Sequence, residues 1–148
     1  MATAEWFGKG AEGLFAANAT NRPIDWVNNV IKVSLHSSLY VPNQDTHQWY
    51  SDLTNELANG NGYTTGGYTL VNKTFAYNSG AKEVRLDADD AQWMNATFSF
   101  RISIVYKWTG TGSTSPLIGY TDWVTDQSIT GGTYTLVWDA EGIMNAGV

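Results

Sequence analysis

The stretch Thr97–Trp108, TFSFRISIVYKW, alternates along almost its whole length. Phe98, Phe100, Ile102, Ile104, Tyr106 and Trp108 fall on even positions, while Thr97, Ser99, Arg101, Ser103 and Lys107 fall on odd ones. Successive side chains of a strand point to opposite faces, so this pattern predicts a long central strand of a sheet buried on one side. Working outward, the polar run Gly110–Ser115 reads as a loop, Leu117–Thr125 as the next strand, and Tyr134, Leu136 and Trp138 mark a last strand over 133–138. Upstream, Glu83–Asp87 carries Val84 and Leu86 on one side. Tyr68–Tyr77 reads as a single strand closed by Asn78, Ser79 and Gly80. In 31–35, Ile31, Val33 and Leu35 alternate with Lys32 and Ser34, the pattern of a half-buried strand. Short strands separated by turn residues predict a mainly β fold, an antiparallel β-sandwich or jelly-roll-like barrel with one or two short helices.

Two stretches carry helical signals. Alanines and Leu14 favour a helix over 11–17, although Gly8, Gly10 and Gly13 weaken it. Trp49, Leu53 and Leu57 follow the cap-like Asp45 and Thr46 at helical spacing, predicting a helix over 47–57. Residues 1–10 precede any firm element and form a candidate N-terminal arm, with Trp6 and Phe7 as its anchors. Pro23 opens a turn after them.

The length of 148 residues predicts one domain, 1–148, and its 43% apolar content excludes a disordered chain. No cysteine is present, which excludes disulfides, thiolate metal sites and a Cys nucleophile. Eight Lys and Arg against 14 Asp and Glu give a formal charge of −6, so no nucleic-acid or anionic-membrane partner is expected. No apolar window is long enough for a membrane helix, and no basic start with an apolar run marks a signal peptide. The expected product is cytoplasmic as made, and the sequons at Asn18, Asn72 and Asn95 have no secretory context.

Candidates for chemistry are few. His36 and His47 lie in no metal-ligand spacing and read as a polar strand residue and a helix-start residue. Asp87, Asp89 and Asp90 could offer oxygens to a cation, yet the run lacks the spacing, glycine and distal Glu of a calcium loop. It reads as an acidic turn. No activated nucleophile and no phosphate loop appear. The expectation is a protein that is not an enzyme, with no catalytic, cofactor-binding or metal residue. The aromatics are more informative: 7 Trp and 8 Tyr in a chain with only 15% charged residues. Trp108 and Trp138 read as core, Trp123 as outward-facing, and Trp6, Trp26 and Trp49 lie outside the clear strands. Aromatics outside the clear strands suit sugar stacking, a protein interface or simply further core.

The segments Ile31–Leu35, Leu39–His47, Leu86–Trp93, Pro116–Tyr120 and Trp138–Ile143 together resemble a family of small tailed-bacteriophage virion proteins. The likeness runs from about residue 11 to the end. It implies a structural protein of the virion, made in the host bacterial cytoplasm, and in particular a capsid decoration (cement) protein. Its partner would be the major capsid protein, and its form a homotrimer bridging neighbouring capsid subunits. The resemblance transfers no site residue. A tail or head-fibre component binding a receptor or carbohydrate is the alternative, although the chain has neither repeats nor heptads.

Overall fold

The computed structural model describes residues 2–15 and 23–148. Among the described residues, eight strands and one α-helix follow in chain order: β1 Thr3–Trp6, α1 Gly8–Phe15, β2 Ile31–His36, β3 Tyr68–Thr69, β4 Thr74–Asn78, β5 Glu83–Asp87, β6 Ala91–Lys107, β7 Leu117–Leu136 and β8 Met144–Gly147. They form two antiparallel sheets, ordered β1-β7-β6-β2-β3 and β4-β5-β8. The fold is mainly β and sandwich-like. It is not a closed barrel, because both sheets end in edge strands.

The main core lies between the sheets. Val33, Leu35, Phe100 and Val105 meet Leu86 and Met144 there, and Trp26 and Trp93 join them. A second, smaller core of Phe7, Tyr40, Ile102, Ile104, Tyr106 and Leu117 packs with Tyr50 and Leu53. The even positions of β6 therefore do not share one face. Phe98 and Phe100 pack into the main core, Ile102, Ile104 and Tyr106 into the second, and Ser103 and Val105 are buried as well. The physical cause is an irregular ladder. Phe100 pairs with Gln127 but Ile102 with Asp122, so two residues of β6 oppose five of β7. Val124 sits at φ 71° inside that bulge, its N–H held by Asp122 Oδ1 at 2.8 Å.

Several expected elements shift. The helix expected over 11–17 begins earlier, at Gly8, and residues 16 and 17 lie outside the described part. Gly10 is what lets α1 sit on β7, since a Cβ there would fall 2.4 Å from the Leu117 carbonyl oxygen. The helix expected over 47–57 is absent apart from a 3-10 turn at Tyr50–Asp52. Asp52 Oδ2 instead takes the N–H groups of Gln48 and Trp49, and Leu57 N–H bonds to Leu35 O of β2. The single strand expected over 68–77 breaks at Asn72, which is at φ 52°, so β3 joins one sheet and β4 the other. The strands expected over 117–125 and 133–138 are one continuous β7, with Trp138 just beyond it.

Residues 1–10 do not form a free arm among those described. Thr3–Trp6 pairs with Gly119–Asp122, and Phe7 is wholly buried in the second core. Trp6 Nε1 donates to Asn145 O at 2.9 Å, which ties β1 to β8. An apolar residue next to a strand has a place in the core once that strand pairs at the sheet edge.

Candidate functional site

The sequence-flagged polar residues are placed separately, each with its own partner. His36 is buried, Nδ1 donating to Thr54 O at 2.8 Å and Nε2 meeting Ser34 Oγ at 2.9 Å. Burial holds its pKa below the ordinary histidine value against the opposing Thr54 carbonyl and Glu56 charge. His47 Nδ1 accepts from Tyr40 OH at 2.8 Å, and the centroids of the His36 and His47 rings lie 5.2 and 5.6 Å from that of Tyr40. Asp87 Oδ1 holds Ala88 N–H, Asp89 Oδ2 holds Asn72 Nδ2, and Asp90 Oδ1 holds Trp138 N–H. The three carboxylates thus hold three different partners, and no group of three potential ligands occurs among the described residues.

The sequence reading missed one polar centre. Glu56 Oε1 accepts from Tyr63 OH and Gly66 N–H, both at 2.7 Å, and Oε2 accepts from Tyr50 OH. Tyr106 OH donates to the Gly66 carbonyl beside it. Burial pushes the Tyr50, Tyr63 and Tyr106 phenols up, with the Glu56 charge adding to it. These donors engage both carboxylate oxygens, and Tyr63 OH also accepts from Leu35 N–H, so the cluster braces the loop against β2. Glu56 is distant in sequence from β2 and β6, and no spacing signal could have revealed it.

What the surface offers is apolar. Leu39 and Val41 are 76% and 74% exposed on either side of buried Tyr40. Their loop is braced: Asn43 Oδ1 takes the N–H groups of Asp45 and Thr46, and His47 N–H returns to Asn43 O. A groove of about 670 Å³ runs between α1 and the small sheet, lined by Trp6, Leu14, Phe15, Phe75 and Val84. A smaller cleft of about 470 Å³ is lined by Trp123 and Trp138 with Thr121 and Asp139. Trp123, expected to face outward, packs on the main core and donates its Nε1 to Ser103 Oγ at 3.0 Å. Trp138 turns its Nε1 to Asp89 O at 3.1 Å, and Trp26, which lies outside the strands, is buried. Trp108 and Trp138, expected in the core, are only partly buried at the rims of the two cores.

Fold and surface together define a two-layer antiparallel β-sandwich that displays apolar side chains on a braced loop and along a groove. No family model, curated protein or solved structure matches the chain.

Proposed function

We propose that the protein is a non-enzymatic structural component of a bacteriophage virion, a decoration protein that binds the major capsid protein on the head surface and stabilises the shell. The observation that supports this best is the loop Leu39–Val41. Two large aliphatic side chains there are exposed, yet their backbone is braced on buried Tyr40 and the Asn43 turn. A pre-ordered apolar knob loses little entropy on docking and fits the pattern of an anchor entering a partner's pocket. Repeated over a lattice, a modest contact of this kind gains strength through effective concentration when copies are linked to one another. The trimer implied by the resemblance has no counterpart among the features above, and only self-association is carried into this reading.

The test uses purified capsids stripped of accessory proteins. The intact chain is expected to bind them, and Leu39→Asp with Val41→Asp is expected to weaken binding at least tenfold with an unchanged melting temperature. Failure of the intact chain to bind overturns the proposal. A second reading, a tail or head-fibre component that binds carbohydrate, draws on the cleft lined by Trp123 and Trp138. Retention on a glycan array that Trp138→Ala abolishes would favour it.

A further inference from the structure

The two sheets have four edges, and three are short or engaged. The Trp6 carbonyl of β1 is taken by Gln44 Nε2 at 2.7 Å, β3 has two residues, and Asn145 O of β8 is taken by Trp6 Nε1. β4 is different. It runs for five residues, Thr74–Asn78, with no charge and no proline, and among the described residues no other element bonds to its outer side. Open edges of natural sheets are ordinarily protected by lysine, proline, a bulge or a covering element. Among the described residues none of these protects β4, and Phe75 and Tyr77 on it are 53% and 55% exposed.

The phase of its backbone follows from the neighbouring ladder. Val148 N–H donates to Lys82 O and Ile143 N–H to Leu86 O, so the even residues of β5 direct their backbone groups to β8. Its odd residues Glu83, Arg85 and Asp87 therefore face Asn78, Ala76 and Thr74 of β4. Phe75 and Tyr77 are left with their N–H and C=O groups directed outward.

We infer that this edge is a self-association surface, on which a second copy of the chain lays its own β4 antiparallel across a two-fold axis at Ala76. The strand is self-complementary in that register. Phe75 faces Tyr77 of the second copy, and each of these two pairs exchanges two backbone hydrogen bonds, four in all. Both pairs bring aromatic rings together on the side that carries Val84 and Leu86, continuous with the groove beside α1. On the opposite side Ala76 meets Ala76 in a narrow pair, where a small side chain suits the close approach. Thr74 meets Asn78, and Lys73 is about six residues from its copy along the strands. A second copy is favoured over a charged partner because the strand is neutral in a chain of net charge −6. The closed two-fold contact also uses up both edges, which leaves no open end for fibre growth. The inference stands on the edge strand and does not rest on the capsid reading.

Sedimentation of the full chain over a range of concentrations tests it. The mass is expected to double from monomer to dimer as concentration rises, and Ala76→Lys, which places two ammonium groups opposite one another on the axis, is expected to keep it monomeric. Mixing Ala76→Lys with Ala76→Glu is expected to restore the dimer. Because the chain has no cysteine, Ala76→Cys supplies a single thiol. Under a mild oxidant it is expected to form a disulfide-linked dimer, since the narrow pair brings the two Cα atoms within disulfide range. Thr74→Cys is expected not to, its two copies lying roughly 13 Å apart along the strands. A wild-type chain that stays monomeric to about 1 mM, a trimer, or cross-linking at 74 rather than 76 would overturn the inference.

Discussion

The hydroxyl of Tyr63 stands between the backbone of β2 and the carboxylate of Glu56, accepting from Leu35 N–H at 3.0 Å and donating to Glu56 Oε1 at 2.7 Å. Leu35 is wholly buried, so its N–H has no water to turn to. Tyr63→Phe removes the acceptor for that N–H and one of three donors to Glu56. The unsatisfied amide carries a penalty of about 1–3 kcal/mol. Urea unfolding is expected to show a lower midpoint with an unchanged slope. An unchanged midpoint would mean that the hydroxyl bridge does not contribute.

His36 makes stability depend on pH in a definite direction. Burial depresses its folded-state pKa below 6.5, with Thr54 and Glu56 opposing the shift only in part. The unfolded chain therefore binds the proton more readily than the folded one. The contribution is fully present above pH 6.5 and is lost as pH falls from there toward the folded pKa. In the neutral ring, Nε2 can accept from Ser34 Oγ while Nδ1 donates to Thr54 O; protonation turns that acceptor into a donor. An NMR titration of the ring is expected to show it still neutral just below pH 6.5, with unfolding free energy falling over the same range. A ring that protonates at or above that pH would contradict the buried neutral state.

The alternation in Thr97–Trp108 made the long strand legible and misled about its faces. Period two holds only while the ladder is regular, and nothing in the residues around Arg101 signals that β7 bulges opposite them. The apolar spacing of Trp49, Leu53 and Leu57 was equally real but non-helical in origin. Trp49 bridges to Pro116, Leu53 packs on the second core, and Leu57 packs on the main one. Long-range partners, not local propensity, decided that segment. The apolar loop lay inside a stretch the sequence marked as distinctive, while the open edge of β4 was hidden by reading Tyr68–Tyr77 as one strand.

The two-sided burial of β6 has a direct test in a pair of serines. A one-sided strand would leave Ser99 and Ser103 equally exposed, but Ser103 is buried and accepts the Trp123 indole N–H, while Ser99 bonds Ser128 on the surface. Ser103→Asp is expected to destabilise by about 3 kcal/mol, because an unpaired carboxylate would enter the interior. Ser99→Asp is expected to stay within about 0.5 kcal/mol of wild type. Equal melting temperatures for the two variants would restore the one-sided strand.

The N-terminal segment provides the last prediction. A free arm could be altered without consequence for the fold, whereas a paired edge strand with a buried anchor could not. Phe7 fills the second core beside Tyr120, their ring centroids 5.2 Å apart, and its N–H donates to Ile118 O. Removing that ring leaves a cavity that rigid strands on one side and a braced loop on the other cannot readily close. Phe7→Ala is expected to cost about 3–5 kcal/mol. Trp6 is the milder probe, because Trp6→Phe keeps an aromatic ring while deleting the bond to Asn145 O. Its expected cost is about 1 kcal/mol, seen as a small fall in the denaturant midpoint. Wild-type midpoints for both variants would mean that β1 and Phe7 contribute nothing to the folded sandwich, and a large loss for Phe7→Ala alone would assign the anchoring to the second core rather than to the tie between β1 and β8.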